Sequence, residues 1–172
     1  MKIKFSYLNS LLVLALAVVG TTTTLAASSN QVWADVFEGT EGPDEIIGTP
    51  EDDVIDSKGG DDDNFGDTSF GDGSGNDVIV RGEGDDGNLG DAFEGAGSGN
   101  DNIISGGGDD DNTGDALIGE GSGNDNIVSG GGDDTNTGNG GRDVFVCGGG
   151  EDTVTDYNEE EGDIAAPDCE NV

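Results

Sequence analysis

The chain has no histidine, two cysteines, three prolines, one tryptophan and only five lysines and arginines among 172 residues. Each shortage excludes something. Without histidine, and with no G-x-S-x-G motif, no base stands ready to activate a nucleophile. Five basic residues do not make the patch that nucleic acid or an anionic membrane requires. Six phenylalanines, two tyrosines and one tryptophan leave little bulk for a large core. The longest apolar run, Leu11 to Val19, is too short for a comfortable transmembrane span.

Acid and glycine are abundant: 39 Asp and Glu, and 34 Gly. All the acids lie at or after Asp35. Before them come Lys2, Lys4, the apolar run and TTTTLAASSNQVWA, the layout of a secretory signal peptide. Residues 1–34 are therefore expected to hold a secretory signal peptide, cleaved after Ala26, Ala27 or Ala34 or else kept as an uncleaved anchor, and the protein to be secreted. The remainder has 39 acids and three bases, a formal charge of −36. Such a charge invites cations. High charge, much glycine and few aromatics are also the ordinary composition of a disordered chain. The argument against disorder is a period.

GSGND occurs three times, in DGSGNDVIV (72–80), AGSGNDNII (96–104) and EGSGNDNIV (120–128). Asp77, Asp101 and Asp125 are 24 residues apart, so one unit is stacked on itself. Each unit divides into nine, nine and six. The second nine is RGEGDDGNL (81–89), SGGGDDDNT (105–113) or SGGGDDTNT (129–137). The six is GDTSFG (66–71), GDAFEG (90–95) or GDALIG (114–119). Looser nines run upstream from Gly39, and GNGGRDVFV with CGGGEDTVT follow back to back from Gly138 without the insert. Regular 18-residue coiling is thus expected only after Gly138, with two unlike edges before it.

The physics of the nine can be argued directly. Glycines at positions 2 and 4 permit positive φ and let carbonyl oxygens turn inward. Calcium takes six to eight oxygens at roughly 2.3–2.6 Å, which facing turns of neighbouring coils can supply together with the position-6 carboxylate. A short strand follows, with position 8 inward: Ile46, Ile55, Ile79, Ile103, Ile127, Phe145 and Val154.

The common pattern, G-G-x-G-x-D-x-U-x with U apolar, resembles the repeats-in-toxin family, also called hemolysin-type calcium-binding repeats. The resemblance covers about Gly39 to Thr155. It implies an all-β chain, a right-handed parallel β-roll or β-helix solenoid with calcium in the turns. The expected ligands are Asp77, Asp101, Asp125 and Asp143 along one edge, and Asp86, Asp110, Asp134 and Asp152 along the other. Asp44, Asp53 and Asp62 join them in turns disturbed by Pro43, Pro50 and Glu51.

Three departures from that pattern stand out. Position 8 of the second nine is Asn64, Asn88, Asn112 or Asn136: either a buried asparagine ladder along the axis, or residues of a wider loop. Asp67, Asp91 and Asp115 recur in the inserts, as added ligands or as turn residues. Position 9 (Ile47, Val80, Ile104, Val128, Val146) is apolar, a contact stripe or a surface covered by Phe70, Phe93, Leu117 and Ile118 of the inserts.

The sequence divides into the signal (1–34), irregular repeats (35–71), the calcium-binding roll (72–155) and a tail (156–172). In an oxidising exterior, Cys147 and Cys169 are expected to form one disulfide holding that tail. Catalysis is not expected, since the repeat already accounts for the paired carboxylates. The rival function is a cell-surface structural or adhesive solenoid, with calcium only as scaffold and a cell-envelope partner. A threonine row for ice or mineral binding is broken, because Phe65 and Leu89 stand where Thr113 and Thr137 recur.

Overall fold

The computed structural model describes residues 34–71, 73, 75–119 and 121–172, and of Arg81 the backbone alone. Of the expected signal peptide only Ala34 lies among them. The described residues are all β, with no helix long and apolar enough to cross a membrane.

Numbered along the chain, the strands fall into three parallel sheets. The first, in spatial order, holds β1 (Asp35–Glu38), β3 (Asp53–Lys58), β5 (Val78–Arg81), β8 (Asn102–Gly107), β11 (Asn126–Gly131), β13 (Val144–Gly149) and β15 (Ile164–Ala165). The second holds β2 (Glu45–Ile47), β4 (Asp63–Phe65), β6 (Gly87–Leu89), β9 (Asp111–Thr113), β12 (Thr135–Thr137) and β14 (Thr153–Val154). The inserts add β7 (Glu94–Gly95) and β10 (Ile118–Gly119) as a third, two-stranded sheet. The chain alternates between the first two sheets, so it winds as a flattened solenoid in which each coil buries its inner face only against its neighbours.

Register follows the repeat. Ile79 pairs with Ile103 and Ile103 with Ile127 at a step of 24, and Ile127 pairs with Phe145 at 18. The step is also 18 at the beginning, where Asp35 pairs with Asp53 and Ile46 with Asn64. Regular coiling is therefore not confined to the region after Gly138. The loose nines upstream stack as well as the strict ones, because strand pairing needs only the spacing and the inward residue.

Ile55, Ile79, Ile103, Ile127 and Phe145 are fully buried from the first sheet. Each contributes about 1.5–3 kcal/mol by burial. Across from them, Ile46 and Val154 bracket Asn64, Asn88, Asn112 and Asn136, all buried. Asn88 Nδ2 donates to Asn112 Oδ1 at 2.8 Å, and Asn112 Nδ2 to Asn136 Oδ1 at 3.0 Å. Ser105 and Ser129 hydroxyls donate to Asn112 and Asn136 Oδ1 at 2.5 and 2.7 Å. Asn88, Asn112 and Asn136 form a core ladder, and Asn64 is buried in line with them without a hydrogen bond; none is a loop residue. The serines across the core are what make an amide tolerable there.

The position-9 stripe is partly covered, with Val80, Val128 and Val146 half-buried. Ala92 and Ala116 of the inserts turn inward and are buried, while Phe70 (71%), Leu117 (54%) and Ile118 (54%) stand exposed on the insert sheet. Ile47 (40%) and Ile104 (37%) remain exposed too.

The segment 156–172 continues the solenoid. β15 pairs with β13, and Asn171 bridges to Thr153. The Cys147–Cys169 disulfide, with Cα atoms 5.1 Å apart, holds this last coil against Phe145. Closing a loop of 22 residues constrains the unfolded chain by roughly 3 kcal/mol. Replacing both cysteines by serine is expected to lower stability by about that amount, measured by denaturant titration of the folded protein.

Candidate functional site

Along one edge, each aspartate backbone N–H donates to Oδ1 of the aspartate one coil further on. The bonds run Asp53 to Asp77 (2.7 Å), Asp77 to Asp101 and Asp101 to Asp125 (2.8 Å each), then Asp125 to Asp143 and Asp143 to Asp163 (2.9 Å each). Along the other edge they run Asp44 to Asp62 and Asp62 to Asp86 (2.8 Å), Asp86 to Asp110, Asp110 to Asp134 and Asp134 to Asp152 (2.9 Å), and Asp152 to Glu170 Oε2 (3.2 Å). The eleven aspartates singled out by spacing all lie in these two rows. All but the half-buried Asp44 are buried. Asp163 and Glu170 extend the rows although the motif does not reach them. Asp163 follows Asp143 by 20 residues, off either period, and Glu170 is not an aspartate.

The second carboxylate oxygen defines the site. Oδ2 of Asp62, Asp77, Asp101, Asp125, Asp134, Asp143 and Asp152 is buried and receives no hydrogen bond. A buried anionic oxygen without a donor is costly, and in native folds it calls for a missing partner. The partner is not local in these turns. It is local at Asp53 and Asp44, whose Oδ2 accepts from Thr49 N–H (2.5 Å) and Oγ1 (3.0 Å), and from Thr40 N–H (2.6 Å) and Oγ1 (3.0 Å). Threonine in GTPEDD and GTEGPD thus satisfies Oδ2 in the first coils, as the Asn158 N–H does at Asp163 in the last (2.8 Å), while Asp77, Asp101, Asp125 and Asp143 have no such donor.

The glycines show what surrounds Oδ2. A Cβ at Gly66 would strike both Asp77 Oδ2 and the carbonyl oxygen of Gly90. One at Gly90 would strike Asp101 Oδ2 and the carbonyl oxygen of Gly114. Two acceptors thus approach one another with only glycine hydrogens beside them. This is an oxygen-only donor set of carboxylate and carbonyl, suited to a hard cation. Among the described residues no three acidic or thiol side chains converge on one point, so carbonyl oxygens or water would have to complete any coordination shell.

The two edges use glycine differently. At Gly84, Gly108 and Gly132 φ is +137, +130 and +141°, and a Cβ would also strike the carbonyl of the glycine one coil back. Gly97, Gly99 and Gly123 in the GSGND turns have no positive φ. There a side chain would overlap Asp91, the Gly75 carbonyl and the Gly99 carbonyl respectively. Positive φ, expected at both edges, serves one of them throughout and the GSGND edge only in the insert-free turn before Asp143, at Gly141 (+130°).

Burial pushes the insert-edge carboxyls far above their usual range: Asp77 and Asp125 to about 8, Asp101 to about 10. The inserts add to this. Asp67, Asp91 and Asp115 are fully buried, and Asp91 is raised to about 9 by burial and by its neighbours Asp67 and Asp115. On the opposite edge burial raises Asp134 to about 6.

Fold and site together define an acidic, parallel β-solenoid whose turns bury carboxylates that lack counter-charges. No family model, curated protein or solved structure matches the chain.

Proposed function

We propose that the protein is a secreted calcium-binding solenoid of the repeats-in-toxin type that folds on loading several ions. The observation that carries this reading is the buried, donorless Oδ2 of the repeat aspartates, which at Asp77 and Asp101 lies beside a glycine carbonyl oxygen. Asp77, Asp101, Asp125 and Asp143 would hold ions on one edge, and Asp62, Asp86, Asp110, Asp134 and Asp152 on the other, each with backbone carbonyls. The bound ion supplies positive charge where the fold concentrates negative charge. Asp44 and Asp53, satisfied by threonine, would contribute least. The hand of the coil in this reading is right, as in nearly all parallel crossovers. Sites in extracellular modules bind calcium at about 10⁻⁴–10⁻³ M, so loading would follow export. No catalytic step is assigned, because backbone ladders account for the carboxylate pairs.

A cell-surface adhesive role is a second reading, favoured by the exposed Phe70, Leu117 and Ile118 on the insert sheet. Calcium would then be scaffold. Flow dialysis with radioactive calcium tests the primary reading. Saturable uptake of several ions per chain in the millimolar range or tighter is expected. Absence of saturable uptake would overturn it.

A further inference from the structure

We propose that Asp67, Asp91 and Asp115 make the insert edge a second and tighter class of divalent-cation site. This rests on the calcium-binding reading and adds residues that the nine-residue repeat does not contain. Asp67 and Asp91 are fully buried and lie against each other, with the Gly75 N–H beside Asp67 and Asp115 beside Asp91, and no donor reaches their oxygens in full hydrogen-bond geometry. Both are packed into the GSGND turns, since a Cβ at Gly73 or Gly97 would overlap them. At the third coil the two rows meet at one glycine. Asp115 Oδ1 and Asp125 Oδ1 lie 2.8 and 2.9 Å from the place of a Cβ at Gly123, beside the Gly99 carbonyl oxygen. Asp115 also accepts the Gly123 N–H at 3.0 Å, which fixes it there.

In the coils that carry an insert, an ion at the free Oδ2 of Asp77 or Asp101 would have a second buried carboxylate, Asp67 or Asp91, in the same turn, whereas Asp115 is already held by the Gly123 N–H. The opposite edge offers a single buried carboxylate, because its other aspartates (Asp85, Asp109, Asp133) are exposed and accept backbone N–H groups or lie outward. For hard oxygen-bound cations, affinity follows the number of charged ligands. Two carboxylates also favour a small, highly charged ion over sodium or potassium by Coulomb attraction.

The test is calcium titration of the full chain, stripped with chelator, in competition with a chromophoric chelator. Wild type is expected to show two phases. Asp91→Asn should weaken the tight phase at least about tenfold and leave the weak phase in place, while Asp134→Asn does the reverse. Circular dichroism at saturating calcium checks that each variant is folded. If Asp91→Asn does not fold, Asp67→Asn at the end of the row makes the same test. A single phase in wild type, or equal effects of the two substitutions, overturns the inference and leaves calcium binding standing. No calcium uptake by wild type overturns the underlying reading together with it.

Discussion

In chelator, the chain gains β structure as the pH is lowered from about 9 to about 3. The cause is the difference in proton affinity between folded and unfolded chain. In the fold, burial holds Asp77, Asp101 and Asp125 at about 8, 10 and 8. Unfolded, an aspartate titrates near 3.9. The folded state therefore binds more protons, and its stability falls as pH rises. The contribution of these groups is fully present below about 4 and is lost as pH climbs to 8 and beyond. Each subtracts about 1.4 kcal/mol per pH unit across that window. The self-repulsion of the 39 acids moves in the same direction. On the proposed reading, calcium is expected to reverse the trend, because protons would compete with the ion for the same oxygens. Far-UV circular dichroism against pH, with and without calcium, reads both slopes. A chelated chain with the same spectrum at pH 3 and pH 9 would contradict the account.

Asn112→Ala is expected to destabilise the calcium-loaded protein by about 3–5 kcal/mol. Asn112 accepts from Asn88 and Ser105 and donates to Asn136 in a fully buried site. Truncation removes all three bonds, although Asn136 Oδ1 still accepts from the Ser129 hydroxyl, and costs about 1–3 kcal/mol for each group that finds no other mate. The expected total falls below the upper sum because Ser105 can rotate and the neighbouring amides can shift. Asn64→Ala should cost far less, since neither its Oδ1 nor its Nδ2 has a partner. Denaturant titration of both variants in saturating calcium makes the comparison. Equal losses would mean that the ladder does not act through its hydrogen bonds.

The spacing of the aspartates is enough to make the rows legible in the sequence. A period of 24 with an apolar residue two places on leaves few arrangements other than stacked coils, and the structure brings Asp77, Asp101 and Asp125 into one hydrogen-bonded line. The fate of the asparagines was not legible. An amide at position 8 suits a loop as well as a core, and only the pairing with Ser105 and Ser129, seven residues earlier, decides between them. The insert aspartates were ambiguous for a related reason. GD opens many solvated turns, and nothing local says that Gly97, six residues on, leaves space for Asp91. The first strand, Asp35–Glu38, precedes the recognisable repeat, so its place rests on pairing with β3 rather than on motif.

The central claim is that cations hold this fold together at neutral pH. It is tested most directly by the hydrodynamic radius and far-UV circular dichroism of the full chain, measured first in chelator and then in millimolar calcium. The account predicts an expanded, unstructured chain that contracts to a compact β-rich one, with magnesium at the same concentration much less effective. A compact β-rich chain in chelator at pH 7.5, unchanged by calcium, would contradict it.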